Sequence, residues 1–169
     1  MKSKEYSRYP VLEIHRDIVR KNAVTLLKKC REIGIEPCAV VKGFCNLMPL
    51  TEELAAAGFR TAASSRVEHC KQIREAGLAV TTLLLRIPMA CEVPDVVRYC
   101  DSTLVSEEKT IRMLREAQVP CKVMVGGAVL TEEYAREIGA DYYARDAKRG
   151  ADIAREVMSG LRGDVQSGN

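Results

Sequence analysis

The stretch Cys38-Ala39-Val40-Val41-Lys42-Gly43 decides the fold that we expect of this chain. An apolar run of this length, bounded by Pro37 and Gly43, is typical of a short strand that is buried on both faces. Such strands belong to parallel sheets whose faces are covered by helices. Lys42 stands at the carboxyl end of the strand, and this edge of the sheet is where ligands bind in α/β barrels and in open α/β sheets alike.

Lys42 has two interpretations at that edge. Partial desolvation of an amine at a strand end favours its neutral form, which attacks aldehydes and forms Schiff bases. Alternatively, Lys42 marks the end of the strand and extends its ammonium group into water. Cys45 follows three residues later, but the sequence offers no clear base for it, because neither His15 nor His69 is an evident partner.

Composition limits the class of protein. The chain has 169 residues, with 47% apolar and 29% charged, as expected for one soluble globular domain. The net charge of +3 and the absence of Trp argue against a nucleic-acid partner, which would need a basic surface or a platform for stacked bases. No apolar run approaches the roughly 20 residues of a membrane span, and no signal segment is expected.

The seven cysteines are odd in number, and no two have the C-x-x-C spacing of a zinc or redox site. We interpret most of them as small buried hydrophobic residues of a protein in the reducing cytoplasm. We expect no metal site.

Strand and helix signals alternate along the chain. Strands are predicted near residues 11–14, 38–41, 60–64, 80–87, 102–105, 122–125 and 141–144. Helices lie between them, the first from about Asp17 to Gly34 and the last from about Ala147 to Met158. A strand about every 20 residues indicates repeated βα units and parallel pairing. We predict an α/β fold with one parallel sheet of six core strands, the strand at 11–14 being the least certain. A partial TIM-type barrel is favoured, with a flavodoxin-like doubly wound open sheet as the alternative.

Helix starts are predicted from residues with side-chain oxygens. Thr51, Ser106 and Thr131 each precede an apolar periodic segment and are expected to be N-caps. Ser65 and Glu68 have the spacing of a capping box.

Four stretches of the first two thirds of the chain form an ordered set: Val11-Leu12-Glu13-Ile14, Val40-Val41-Lys42-Gly43-Phe44-Cys45, Ser64-Ser65-Arg66-Val67-Glu68 and Leu83-Leu84-Leu85-Arg86-Ile87-Pro88-Met89. In this order and spacing, residues 9–117 resemble the N-terminal barrel half of alanine-racemase-type enzymes, and most closely the ornithine racemase branch. The resemblance implies a pyridoxal phosphate cofactor carried by a lysine. The position that matches this lysine is Lys42.

Other candidate site residues lie on the same edge of the predicted sheet. Arg86 ends its strand there and can pair with a substrate carboxylate, although a structural salt bridge explains it equally well. Ser65 and Arg66 follow the preceding strand. Ser65 is interpreted either as a helix cap or as part of an anion site at the helix N-terminus. We therefore take Lys42 and Arg86 as candidate catalytic residues, and Lys42, Ser65 and Arg66 as candidate cofactor-binding residues.

The last third resembles a different family. Lys122-Val123-Met124-Val125-Gly126-Gly127-Ala128 and the stretch at 131–141 are similar to the end of a cobalamin-binding flavodoxin-like domain. That resemblance implies close approach of the cofactor's nucleotide tail to Gly126 and Gly127, and makes cobalamin a second cofactor candidate. A tight turn is the alternative for the two glycines. The family's cobalt-ligating D-x-H-x-x-G motif has no counterpart in this sequence.

We expect a single α/β domain over residues 1–169. It joins a racemase-barrel-like segment (1–118) near Pro120 to a cobalamin-domain-like βαβα segment (119–161), with a frayed tail (162–169). A natural recombination or a designed chimera explains such a join, since both families supply βα units of the same hand.

Two functions follow from these resemblances. The first is a racemase-like protein that binds pyridoxal phosphate and a small amino acid. Its turnover is expected to be weak or absent, because family members carry a longer barrel and a second domain with a tyrosine base. The alternative is a non-enzymatic recombined or designed scaffold with vestigial corrinoid binding. A homodimer is expected, because a partial barrel leaves sheet edges with unpaired backbone groups.

Overall fold

The computed structural model describes residues 12–118 and 120–166. In chain order the elements are α1 (Arg16–Glu32), β1 (Ala39–Val40), α2 (Met48–Ala57), β2 (Thr61–Ser64), α3 (Val67–Glu75), β3 (Thr81–Leu84), α4 (Val93–Tyr99), β4 (Ser102–Thr103), α5 (Glu108–Glu116), β5 (Met124–Gly126), α6 (Glu132–Glu137), β6 (Tyr142–Ala144) and α7 (Ala147–Gln166). The predicted alternation of strands and helices is confirmed. The last helix extends to Gln166, beyond its predicted end at Met158.

The described residues fall into two compact units. Those within Met1–Pro88 and Pro94–Leu104 form unit 1, and those within Met89–Val93 and Val105–Asn169 form unit 2. Each unit has a sheet of its own.

The sheet of unit 1 has the order β1-β2-β3-β4, and every pair is parallel. The register places Ala62 opposite Thr82 and Ser64 opposite Leu84. Because parallel neighbours in chain order require a crossover helix, this arrangement confirms the βα units and the α/β fold class. The carboxyl ends of the strands meet at one edge, as predicted.

Two predictions about the sheet are wrong. The six core strands do not form one sheet, since within residues 12–118 and 120–166 β5 and β6 pair with each other and not with β1 to β4. Strand β4 has two residues for pairing. Residues 12–14 of the predicted first strand are not in a strand, and Val11 lies outside the described residues. Leu12 is 83% exposed, so this segment has no packed face to hold it in a sheet.

The first strand is buried on one face only, which corrects the expectation for residues 38–43. Ala39 is buried against α1 with Ala23, Leu27 and Phe59, whereas Val40 is 47% exposed. Successive strand residues face opposite sides, and β1 is an edge strand. Unit 1 has two other clusters. One packs β2 and the turn after β1 against α2 and α3 and contains Val41, Ala62, Ile73 and Val80. The other packs β3 against α3 and α4 and contains Val67, Leu84 and Val96.

An ion cluster fixes α1 on α2. Glu53, which is 5% exposed, accepts a hydrogen bond from Arg16 Nε at 2.9 Å and one from Arg20 Nε at 2.5 Å. Burial opposes ionisation of Glu53, but the hydrogen bonds from Arg20 and Arg16 outweigh it and hold the pKa of the carboxyl below its usual range.

Three of the four predicted caps are wrong. Thr51 lies inside α2, where it is 2% exposed, and the N-caps of α2, α3 and α5 are Leu47, Arg66 and Glu107, which make no side-chain cap bond. The cap of α6 is confirmed, because Thr131 Oγ1 accepts the Tyr134 N–H at 3.2 Å. In the first case the Thr51 hydroxyl donates to Asn46 Oδ1, five residues earlier in the chain, and is not available as a cap.

Unit 2 contains β5 and β6, which are parallel with Gly126 opposite Ala144. Asp141 anchors this pair: its Oδ2 accepts the Val123 N–H at 2.8 Å and pairs with Arg115 at 2.5 Å. Burial disfavours ionisation of Asp141, yet the bonds from Val123 and Arg115 keep its pKa below the usual value.

The cysteines are less buried than expected. Cys70 is buried, but Cys38, Cys45 and Cys91 are exposed and the remaining three are intermediate. Among residues 12–118 and 120–166, no helix combines the length and apolar character that crossing a membrane requires.

Candidate functional site

Lys42 lies on a short turn at the carboxyl edge of unit 1. The strand ends at Val40, and a 3-10 turn over Val41–Phe44 follows directly. Val41 is fully buried and holds the start of the turn in the core. Lys42 itself is exposed, so the partial desolvation that we expected is not observed, because the turn carries the side chain away from the sheet core.

The turn ends in two consecutive residues with left-handed backbone. Cys45 has φ 51° and Asn46 has φ 50°. Such values are uncommon for residues other than glycine, although asparagine adopts them more readily than most. Two backbone hydrogen bonds close the turn. The Cys45 N–H donates to Lys42 O at 3.1 Å, and the Asn46 N–H donates to Val41 O at 3.0 Å.

The next strand ends in a buried polar pair. Ser64 Oγ lies 2.8 Å from His69 Nδ1, with Ser64 fully buried and His69 6% exposed. Ser64 Oγ also accepts the Arg66 N–H at 3.3 Å. Ser64 thus bonds the backbone of Arg66, the N-cap of α3, and Ser65, which we predicted to cap this helix, is not its cap. His69, which was not an evident base for Cys45, pairs with Ser64 instead.

Burial lowers the pKa of His69, and the nearby Arg66 guanidinium adds to this effect. The imidazole is thus held in its neutral form, in which one ring nitrogen donates and the other accepts a hydrogen bond. A neutral His69 suits the hydroxyl of Ser64 whichever of the two groups donates.

Arg86 joins the loops that follow β2 and β3. Its Nε donates to Ser65 O at 2.6 Å, and its Nη1 donates to Ile87 O at 3.0 Å. Arg86 and Ser65 are therefore brought together, through the Ser65 carbonyl rather than its hydroxyl. Arg66 is exposed beside them. Lys42, Ser65, Arg66 and Arg86 all follow the carboxyl ends of adjacent parallel strands, which lie about 4.8 Å apart.

Asn46 connects the Lys42 turn to two helices. It is 2% exposed, and its Oδ1 accepts the hydroxyl of Thr51 on α2 at 2.8 Å. Its Nδ2 donates to Gln72 Oε1 at 2.9 Å and lies 3.4 Å from the His69 carbonyl oxygen, both on α3. We did not single out this residue from the sequence, where an asparagine just past the strand end was the available signal.

Gly126 and Gly127 lie in unit 2, at the carboxyl ends of β5 and β6. They line an open cleft of about 420 Å³ together with Ala144, Asp146 and Gly150. Gly127 has φ 138°, which a residue with a side chain adopts only under strain. At Gly126 an added Cβ would lie 2.5 Å from the Ala144 carbonyl oxygen, so internal strand packing already requires a glycine there.

No group of three or more His, Cys, Asp or Glu side chains within the described ranges 12–118 and 120–166 is arranged to hold a metal ion.

Comparison with known proteins identifies relatives of each segment. A family described as "Alanine racemase, N-terminal domain" matches residues 14–126. Ornithine racemase of Acetoanaerobium sticklandii is 35% identical over 109 residues, which are 64% of this chain and 30% of that protein. Lysine racemase of Thermotoga maritima is 28% identical over 108 residues, again 64% and 30% of the two chains.

A separate region matches corrinoid proteins. Dimethylamine corrinoid protein 1 of Methanosarcina mazei is 39% identical over 61 residues, covering 35% of this chain and 28% of that protein. Both predicted resemblances are thereby confirmed. The chain spans about 30% of the length of the two racemases.

Proposed function

The chain belongs to the family of alanine racemase N-terminal domains, and from this membership we propose that it binds pyridoxal phosphate through Lys42 as a racemase-like protein. The observation that carries the proposal is the position of Lys42, on an exposed turn directly after β1 at the carboxyl edge of a parallel sheet. That edge is the ligand-binding edge of α/β proteins.

The residues at this edge fit the cofactor. The amine of Lys42 is exposed, so a cofactor aldehyde can reach it, and its neutral form is the one that adds to the aldehyde. The exposed Arg66 supplies a positive charge for a phosphate at the start of α3. When bound, pyridoxal phosphate supplies an electron sink that stabilises negative charge at the α-carbon of an amino acid.

The chain's own residues supply the remaining roles. Lys42 Nζ holds or moves a proton on one face of the substrate α-carbon. Arg86, whose Nε and Nη1 donate to the carbonyls of Ser65 and Ile87, fixes the loops around the site and places its guanidinium charge where it attracts the substrate carboxylate. Racemisation needs a proton donor on each face, so we propose weak or absent turnover by these residues alone.

The substrate class is a small amino acid of the ornithine, lysine or alanine kind, by analogy with the racemases.

We also place the protein in the cytoplasm, since its cysteines are free. We further propose a homodimer that covers the two-residue edge strands β1 and β4. Light scattering at high protein concentration tests the dimer, and a monomer mass would reject it.

The test of Lys42 is covalent labelling. Purified protein is mixed with pyridoxal phosphate, its visible absorbance is recorded, and the adduct is trapped with borohydride and mapped by peptide mass spectrometry. We expect the label to concentrate on Lys42 and to be lost in Lys42→Ala. Lys28→Ala is the matched control, because Lys28 is an exposed lysine on α1 and its loss should leave the absorbance unchanged.

A label that is spread evenly over the exposed lysines would reject cofactor binding at Lys42. It would favour the alternative, a recombined or designed scaffold without enzymatic activity.

Corrinoid binding is the second candidate, and the glycine-lined cleft of unit 2 favours it. Gly127 allows a ligand close to the backbone, as a nucleotide tail requires. The histidines of the chain are His15 and His69, so residues 119–169 offer no imidazole to cobalt and binding would rest on the tail. Equilibrium dialysis with cobalamin tests this, and Gly127→Ala should weaken any binding observed.

A further inference from the structure

The backbone after Lys42 is held in an unfavourable conformation. Cys45 and Asn46 follow one another with φ 51° and φ 50°, and neither is a glycine. Such residues persist only where the surrounding structure determines them, and they concentrate at functional sites. The side-chain contacts of Cys45 and Asn46 show which of the two residues is fixed by the surrounding structure.

Asn46 is held by its side chain. The amide is buried and contacts partners on α2 and α3, with Thr51 Oγ1 at 2.8 Å and Gln72 Oε1 at 2.9 Å. Cys45 is exposed. The force that keeps the turn in its left-handed conformation is therefore applied at Asn46.

The same residue closes the turn that carries Lys42. Asn46 N–H donates to Val41 O at 3.0 Å, and Val41 is fully buried in the core with Ala62 and Ile73. Lys42 thus lies between one residue fixed by apolar packing and another fixed by hydrogen bonds. Its backbone direction depends on both.

We infer that Asn46 is a positioning residue, whose buried amide holds the Lys42 turn against α2 and α3 and so directs the lysine toward the ligand edge. The inference rests on the proposed function of Lys42. It adds that the amide network, and not only the backbone conformation, sets how selectively this lysine reacts with the cofactor aldehyde.

Asn46→Gly separates the effect of the amide network from that of the left-handed backbone conformation. Glycine adopts the left-handed conformation without strain, so this variant keeps the backbone and removes the amide network. We expect the preference of the pyridoxal phosphate label for Lys42 over Lys28 to fall about five- to thirtyfold, the effect of losing one or two net hydrogen bonds. Cys45→Gly is the matched control, since it removes the backbone strain at residue 45 and leaves the hydrogen bonds of the Asn46 amide intact.

Thr51→Val tests the network from its far end. It replaces the hydroxyl that donates to Asn46 Oδ1 with a methyl group of similar size, at a position on α2. The label preference should fall in the same direction as in Asn46→Gly. Asn46→Asp retains the acceptor for Thr51 but places a buried carboxylate oxygen against the His69 carbonyl oxygen, where Nδ2 now lies, so it should lower the preference as well.

Amide hydrogen exchange gives a readout that needs no cofactor. In the unaltered protein the Cys45 and Asn46 N–H groups are bonded to Lys42 O and Val41 O and should exchange slowly. We expect both to exchange at least about tenfold faster in Asn46→Gly, and to remain slow at Asn46 in Cys45→Gly. Circular dichroism confirms that each variant is folded.

Failure of the proposed function and failure of this inference give different results. If Lys42 is not preferred even in the unaltered protein, the proposed function fails, and the exchange rates still test Asn46. If Asn46→Gly matches the unaltered protein in exchange and in labelling, the network does not position Lys42 and the inference is overturned.

Discussion

Replacing Gly126 with alanine tests whether this glycine serves strand packing or a ligand. Gly126 ends β5 directly opposite Ala144 of β6. An added Cβ would lie 2.5 Å from the Ala144 carbonyl oxygen, whereas real Cβ atoms essentially never approach other atoms within 3.0 Å. The contact atom belongs to the backbone, so the two strands must separate by about 0.5 Å or more to relieve the overlap.

The expected cost is about 1–3 kcal/mol of unfolding free energy, the usual penalty for overpacking a well-packed site. Gly150→Ala is the control, because its Cβ would meet the same residue at an ordinary 3.6 Å. Gly150 lies inside helix α7, where alanine is more favourable than glycine by about 1 kcal/mol. The two variants should thus differ by about 2–4 kcal/mol in opposite directions from the unaltered protein.

Urea denaturation followed by far-ultraviolet circular dichroism measures both changes, and equal slopes against urea would show that the comparison is valid. Hydrogen exchange of the segment 124–144 would locate the effect in the β5–β6 pair. If Gly126→Ala is as stable as the unaltered protein, the strand contact does not require a glycine. The glycine would then be explained by a ligand.

Three further predictions concern unit 1. Leu84→Ala should cost about 2–5 kcal/mol in urea denaturation, because Leu84 is fully buried between Val67 and Val96. The free energy of unfolding should fall as the pH drops below 6.5, the ordinary pKa of histidine. Burial and Arg66 lower the pKa of His69 in the folded protein, so the unfolded chain binds the proton first. Urea midpoints measured against pH should show this dependence in the unaltered protein and not in His69→Asn. Iodoacetamide should label the exposed Cys45 and Cys91 before the buried Cys70, although a hydrogen bond from Cys100 lowers the pKa of Cys70. Mass mapping measures the labelling rate of each thiol, and equal rates for the three would contradict the packing of α3.

The fold was predictable because its signals are local. A helix-ending glycine is an example, since Gly34 was predicted to end the first helix and has φ 74°. The order of helices and strands after residue 15 followed from such signals, whereas residues 12–14 of the strand predicted at 11–14 do not form one. The lengths of the strands were overestimated, because a strand ends where its neighbour ceases to pair, and β1 is limited to Ala39–Val40.

The candidate site was predictable only in part. Lys42 and Arg86 were identified because each follows an apolar run at a strand end. The amide network of Asn46 was missed because its partner Gln72 is 26 residues away, and no local pattern indicates such a contact. The Ser64–His69 pair was missed for a different reason: Ser65 has the better capping spacing, but Ser64 is the residue that the strand directs into the core.

The order of strands in unit 1 has a consequence for synthesis on the ribosome. Each strand from β2 to β4 pairs with the strand that immediately precedes it, and paired residues such as Ala62 and Thr82 are 20 positions apart. Contacts of such short separation close small loops, whose entropic cost is low. Each βα unit can therefore dock on its predecessor as it emerges, without waiting for the carboxyl-terminal half of the chain. A nascent sheet that grows in this way keeps the β1 edge open and adds each new strand at the opposite edge, which ends in the two residues of β4. Strand pairing with a neighbouring polypeptide is therefore confined to these two short edges.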